Sequence, residues 1–161
     1  MRNTKKIIIL MTILPWLSVP FIGVKSLRRF LPGTIFMCVY LTAEGYLAEK
    51  KKWWWFPYNV KPNVLGEMPL ILGPFLVGAL WILKFTFGKF KLYLIVNIMI
   101  DSIFTFIAID WLKKIGYVSL VRLTKYQLAL LFLVKSLLMY GFQFIFESYF
   151  TRQQPALNQN N

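Results

Sequence analysis

The sequence contains no histidine, a single cysteine and only six acidic residues among its 161 positions. Without histidine the chain lacks the usual general base and the commonest metal ligand of proteins, and the lone Cys38 excludes an internal disulfide. The acids are scattered, and there is no phosphate-binding loop, serine nucleophile elbow or C-x-x-C motif. These absences argue against an enzyme, and we expect no catalytic residues, no cofactor and no metal site.

Apolar residues, in contrast, are abundant. They make up 58% of the chain, and the mean hydropathy is +0.58, whereas soluble domains are about 45–50% apolar. They gather in blocks of roughly 17–25 residues, the length at which a helix crosses about 30 Å of hydrocarbon. The sequence therefore predicts an all-α fold, a polytopic transmembrane helical bundle formed by residues 1–150 as a single domain.

Five apolar blocks are candidate spans. The first contains Pro15 and Pro20, and because each proline removes a backbone donor, a kinked span or a re-entrant segment is expected there. The polar tail at 151–161 is rich in Gln and Asn and is predicted to be disordered. The predicted spans cover residues 7–24, 30–48, 69–87, 92–111 and 127–146.

The net charge of +13 could indicate a nucleic-acid partner, but the cations lie in short runs between apolar blocks. This pattern is typical of membrane topology signals, so we expect membrane lipids, not nucleic acid, as partners. With five spans, about eleven cations flank one side and about six the other. The excess predicts a multi-pass protein of the cell membrane with a cytoplasmic amino terminus and an extracellular carboxyl terminus.

Three lysines followed directly by three tryptophans separate the second and third blocks. Tryptophan rings prefer the headgroup layer, so this segment is predicted to lie at the cytoplasmic surface of the membrane. Anchoring of the topology is the simpler role, and recognition of anionic lipid headgroups is the alternative. The predicted interface residues are Lys50, Lys51, Lys52, Trp53, Trp54 and Trp55.

Ionisable residues inside the spans are costly and need a reason to persist. Asp101 and Lys135 each lie near the middle of a predicted span, and those two spans are consecutive and antiparallel. We predict an ion pair between them. Glu44 is a further acid within a span, about one helical turn from its cytoplasmic end.

A polar seam is predicted between the fourth and fifth spans, because polar residues recur on one face of each helix. Such a seam can join two helices through hydrogen bonds, or it can form a path for a substrate, an ion or a proton. Its predicted members are Asn97, Asp101 and Thr105 on the fourth span and Lys135, Gln143 and Glu147 on the fifth.

Two functions are compatible with these sequence features. The first is a non-enzymatic helical bundle that acts through contacts with lipids or with other membrane proteins. The second is a small transporter or ion-coupled carrier that uses the polar seam. The first is favoured because the loops are short and catalytic groups are missing.

Three stretches resemble a group of small, basic membrane proteins of Bacillus-type bacteria. They are residues 52–56 (KWWWF), residues 73–85, which begin GPF and end WILKF, and residues 119–123 (SLVRL). The resemblance implies a plasma-membrane location in a Gram-positive cell and supplies no activity. The size and tryptophan content are also similar to tryptophan-rich sensory proteins that bind tetrapyrroles, but the aromatic–proline motifs of that family are absent here.

Overall fold

A computed structural model describes residues 2–57 and 62–158, with side chains described for 6–57 and 62–149. The fold is all-α apart from one pair of two-residue strands. The first half contains α1 (Arg2–Ile13), a 3-10 helix (Leu14–Ser18), α2 (Val19–Ile22), α3 (Val24–Lys51) and β1 (Trp54–Trp55). The second half contains a 3-10 helix (Asn63–Gly66), α4 (Met68–Leu70), a π-helix (Ile71–Phe75), α5 (Leu76–Thr86), α6 (Phe90–Ile103), a second π-helix (Phe104–Ala108), α7 (Ile109–Lys114), β2 (Ser119–Leu120) and α8 (Lys125–Asn158).

Within the described residues, four helices are long and apolar enough to cross a membrane. They are α3, the continuous α4–α5 helix (Met68–Thr86), the continuous α6–α7 helix (Phe90–Lys114) and the Lys125–Tyr149 part of α8. These helices correspond to the second to fifth predicted spans. The protein is therefore a helical protein of multi-pass membrane type.

The first predicted span needs correction, because residues 7–24 do not form a fifth long helix. The apolar segment Lys6–Ile22 is shorter, and it changes from α-helix to 3-10 helix at Leu14–Ser18, where Pro15 occupies the first turn. Proline cannot donate the hydrogen bond that would continue the α-helix. Gly23 then ends the segment with a φ of 82°, a left-handed value that suits glycine.

This amino-terminal segment packs along the α4–α5 helix and runs parallel to it. The Trp16 indole nitrogen donates to the Leu72 carbonyl at 2.9 Å, and the Trp81 indole nitrogen donates to the Ser18 hydroxyl at 3.0 Å. Gly73 makes close packing possible, because a Cβ there would lie 2.9 Å from the Thr12 backbone. The segment therefore belongs to the bundle although it is not a regular long helix.

Both π-helices lie inside long helices. One contains Pro74, and the other follows Ile103 without a proline. A π-helix widens one turn and leaves the regular hydrogen-bond ladder, and such segments are frequent at functional sites. They bring Phe75 and Phe104 to the bundle interior, where the two ring centroids are 5.1 Å apart.

One end of the bundle, here called the tryptophan end (residues 50–57 and 115–125), has ordered loops. Strands β1 and β2 pair antiparallel, with Trp54 opposite Leu120 and Trp55 opposite Ser119. The Tyr117 hydroxyl donates to the carbonyl of Gly66 at 2.6 Å. The opposite end is here called the arginine end (residues 23–29 and 86–90). There the start of α3 lies next to the loop that connects α5 to α6.

The outer surface of the bundle is strongly apolar, as contact with lipid requires. Exposed side chains include Phe21 at 76%, Ile145 at 69% and Ile107 at 65%. The last helix extends as far as Asn158, so residues 151–158 differ from the disordered tail that their composition predicts, and residues 159–161 lie outside the described residues.

Candidate functional site

A buried ion pair joins α3 to α8. Lys135 Nζ lies 2.6 Å from Glu44 Oε2, and each side chain is only 6% exposed. The contact lacks hydrogen-bond alignment, and neither Glu44 oxygen has a hydrogen-bond partner among the described residues. The pair is therefore held by charge alone in an environment that does not solvate it.

The ion pair predicted between Asp101 and Lys135 is wrong, since Lys135 pairs with Glu44. Lys135 shares a helix face with Met139 and Gln143, and the contacts of Lys135 and Gln143 turn that face toward α3. Asp101 lies on the α6–α7 helix, which packs against the neighbouring face of α8. Helical periodicity predicted the shared face correctly but could not predict which helix it would meet.

Asp101 instead faces Ser136, a residue that the sequence analysis did not single out. The Ser136 hydroxyl is 3.3 Å from Asp101 Oδ2, 3.3 Å from Asn97 Oδ1 and 3.0 Å from the Phe132 carbonyl. A hydroxyl has one proton, so these three acceptors share one donor. The Asp101 carboxylate therefore shares this hydroxyl with Asn97 and the Phe132 carbonyl.

Asn97 belongs to the same cluster, and its amide nitrogen donates to the Tyr93 carbonyl at 2.8 Å. The Tyr93 hydroxyl in turn donates to the Ser136 carbonyl at 2.7 Å. Asn97, Asp101 and Ser136 therefore form the part of the predicted seam that does lie between α6 and α8. Thr105 is fully buried, and its hydroxyl has no hydrogen-bond partner among the described residues.

Glu67 is a buried acid that the sequence analysis missed. It lies just before the α4–α5 helix, is 7% exposed, and accepts a hydrogen bond from the Trp54 indole nitrogen at 3.3 Å. Burial raises the pKa of Glu67 to about 7, and the Glu44 carboxylate adds to the increase while Lys135 opposes it. Glu67 thus lies within electrostatic reach of the buried pair.

A cavity of about 150 Å³, here called the central cavity, lies between all four long helices. Its lining is mostly apolar, but Asn97, Asp101, Lys135 and Ser136 contribute polar groups. The space is large enough for several water molecules or a small ion. Asp101 and Lys135 therefore border a cavity as well as contacting neighbouring helices.

A second cavity of about 40 Å³, here called the tryptophan-end cavity, is lined by Glu67 and Trp54. Both cavities are lined by Lys135 and by the phenylalanine partition, which we define as Phe75, Phe104 and Phe132. The three rings contact one another, with centroids 5.1–5.8 Å apart. Asp101 thus lines one of these cavities and Glu67 the other, and the three rings border both.

The carboxyl-terminal part of the predicted seam also meets α3. Gln143 accepts a hydrogen bond from the Gly33 backbone nitrogen at 3.2 Å and donates to the Arg29 carbonyl at 2.9 Å. The Gln143 amide thus contacts two backbone groups of one turn of α3, next to Pro32, which lacks an N–H to donate within the helix.

Glu147 also contacts α3, at the arginine end. Its two oxygens accept from Arg29 Nε at 2.6 Å and Nη2 at 2.7 Å, a bidentate geometry. The side chains are 54% and 23% exposed for Arg29 and Glu147 respectively. The predicted seam is therefore divided, with Asn97 and Asp101 facing Ser136 and the residues Lys135, Gln143 and Glu147 facing α3.

The predicted interface residues form a mixed surface at the tryptophan end. Lys50, Lys51 and Lys52 are exposed, and Lys51 Nζ lies 5.5 Å from the centroid of the Trp53 ring. Trp54, however, is 7% exposed and points toward Glu67. The exposed fractions of Trp54 and Trp55 follow the pairing of β1, in which alternate side chains point to opposite faces.

Comparisons with protein-family models, with curated proteins and with solved structures found no match. The resemblance to small membrane proteins of Bacillus-type bacteria stays a prediction. Within residues 6–57 and 62–149, no group of three or more Cys, Asp or Glu side chains is placed to hold a metal ion.

Proposed function

We propose that this protein is a small, non-enzymatic, ion-coupled carrier whose binding site is the central cavity. The observation that carries the proposal is the position of Asp101 and Lys135 on the wall of the central cavity, which all four long helices border. Ionisable residues at membrane depth commonly mark substrate or ion pathways. A purely adhesive seam has no need of an adjoining cavity.

The balance of charge supports a proton or a small cation as the coupling ion. Three acids, Glu44, Glu67 and Asp101, surround the single cation Lys135, and Lys135 pairs with Glu44. The remaining two acids line different cavities. A bound proton or cation at either acid would neutralise a charge that the hydrocarbon environment disfavours.

The phenylalanine partition supports a carrier that opens its binding site alternately toward the two sides of the membrane. Phe75 and Phe104 both belong to π-helices, which are irregular turns within otherwise regular helices. Movement of these turns would open or close the passage between the central cavity and the tryptophan-end cavity. Lys135 borders both spaces, with Nζ 4.6 Å from the Phe132 ring centroid, so its pairing would respond to such a movement.

The test is transport in liposomes that contain the purified full chain and a trapped pH-sensitive dye. An imposed proton gradient is combined with a panel of amino acids, sugars and small organic cations. We expect the wild type to couple dye response to at least one solute, and Asp101→Asn to lose that coupling. Glu147→Gln is the matched control, because it makes the same acid-to-amide change outside both cavities.

Two results would reject the carrier. One is equal flux in the wild type and Asp101→Asn, and the other is equal loss in Asp101→Asn and Glu147→Gln. The remaining function would then be a bundle that acts through lipids or other membrane proteins. For either function we propose that the tryptophan end faces the cytoplasm of a plasma membrane, since most cations flank that end.

A further inference from the structure

A basic groove of about 760 Å³ lies at the tryptophan end between α3 and α8. Its walls are the last turns of α3 and the first turns of α8, and the loop after β2 forms one side of it. This groove is separate from both internal cavities. Its lining residues are Leu47, Lys50, Lys51, Trp53, Arg122, Leu123, Gln127, Leu130 and Leu131.

The groove is polar at one end and apolar at the other. Lys50, Lys51 and Arg122 supply three cations, all exposed. Leu47 and Leu130 lie about one helical turn deeper toward the membrane interior, where they are 43% and 61% exposed. The direction of this gradient matches a phospholipid, whose headgroup lies at the interface while its acyl chains extend into the hydrocarbon.

The charge of the groove selects among possible lipids. Its described lining contains three cations and no acid, so a zwitterionic headgroup, which brings an ammonium group together with its phosphate, would leave the net positive charge of the groove unchanged, whereas an anionic headgroup would reduce it. Arginine and lysine are the residues that bind phosphate oxygens most effectively. The loop that carries Arg122 is fixed, since the backbone nitrogens of Val121, Arg122 and Leu123 approach the Trp53 carbonyl at 3.0–3.3 Å.

We propose that this groove binds one anionic phospholipid, with its phosphate at Lys50, Lys51 and Arg122 and an acyl chain against Leu47 and Leu130. The inference is independent of the carrier function. It also differs from general topology anchoring, because anchoring depends on the number of cations at this end, whereas a site depends on which cations line the groove.

Two triple variants with equal charge separate these explanations. The groove variant is Lys50→Gln, Lys51→Gln and Arg122→Gln. The control variant is Lys52→Gln, Lys113→Gln and Lys114→Gln, which removes three cations from the same end but none from the groove lining. All six side chains are exposed, and the elution profile of each full-length variant in detergent checks that it is folded.

Lipid retention is measured by native mass spectrometry after exchange into mixed micelles of phosphatidylglycerol and phosphatidylcholine. We expect the wild type and the control variant to retain one phosphatidylglycerol in preference to phosphatidylcholine by about tenfold, and the groove variant to lose this preference. A parallel arm adds inorganic phosphate and glycerol phosphate, which should not displace the lipid because they lack acyl chains.

Three outcomes would overturn the proposal. Equal loss of preference in both triple variants would assign the effect to overall charge. An unchanged preference in the groove variant would exclude these cations as the site. Displacement of the lipid by inorganic phosphate at millimolar concentration would identify a phosphate site in place of a lipid site.

Discussion

Two ion pairs join the same two helices, α3 and α8, at different depths. Arg29 and Glu147 meet at the arginine end, where their side chains are 54% and 23% exposed, whereas Glu44 and Lys135 meet in the interior, where both are 6% exposed. The outer pair has two aligned hydrogen bonds. The inner pair has none, and it borders the central cavity through Lys135.

The two ion pairs have similar chemistry but contribute differently to the free energy of unfolding. An exposed pair exchanges its contacts with water or headgroups, so its loss changes the free energy of unfolding little. In a buried pair, neither water nor headgroups can replace the lost partner, so removal of one partner leaves an uncompensated charge. Loss of the inner pair should therefore destabilise the contact between α3 and α8 strongly, whereas loss of the outer pair should have only a small, local effect.

The largest effect is expected from Lys135→Met. It should lower the free energy of unfolding by about 3–5 kcal/mol, because Glu44 would remain buried without a cation. Unfolding in mixed micelles with increasing dodecyl sulfate measures the change. The double variant Glu44→Gln with Lys135→Met should recover most of the loss, since it removes both charges. Wild-type stability in Lys135→Met alone would contradict this energetic account.

The pH dependence of stability should report on Glu67. Its folded pKa of about 7 exceeds its reference value of 4.5, so the folded state retains a proton that the unfolded state releases. Stability is then greatest below about pH 4.5 and falls as the pH rises through 7, by about 3 kcal/mol in total. Unfolding curves at several pH values measure this slope.

Glu67→Gln should reduce that slope, because an amide does not titrate. Glu147→Gln at the arginine end should keep it. An increase of wild-type stability between pH 5 and pH 8 would have the wrong sign and would show that Glu67 is not buried in its acid form.

A larger side chain at Gly33, which lies between the two ion pairs along α3, should lower the free energy of unfolding. In Gly33→Ala the new Cβ would lie 2.5 Å from Gln143 Oε1, so we expect a loss of about 1–3 kcal/mol. Gly141→Ala in α8 is the matched control, because a Cβ there meets nothing within 4 Å. Chemical unfolding of both variants provides the comparison. Equal stability of the two would mean that Gln143 is free to move away from α3.

The smallest effect is expected from Glu147→Gln. Because the outer pair is exposed, the loss should be below about 1 kcal/mol, and added salt should reduce it further. The same unfolding measurement on Glu44→Gln should give a larger loss that salt hardly changes. A salt-insensitive loss in Glu147→Gln that equals the loss in Glu44→Gln would remove the distinction between the two ends.

Helix positions and helix faces were accessible from the sequence. Apolar blocks predicted the ends of three long helices within about three residues, and α3 begins six residues before the predicted span. Spacing of four residues placed Lys135, Gln143 and Glu147 on one stripe of α8. The prolines in the first block also predicted its interruption, although not its shorter length.

Contacts between segments were decided only by the tertiary structure. Periodicity states which residues share a face, but the partner of that face depends on how all the helices pack together, so Glu44 and not Asp101 meets Lys135. Glu67 and Trp54 come together because the tryptophan-end loops fold back on the bundle. The hydrocarbon core constrains each helix separately, whereas cavities and ion pairs arise from several helices at once.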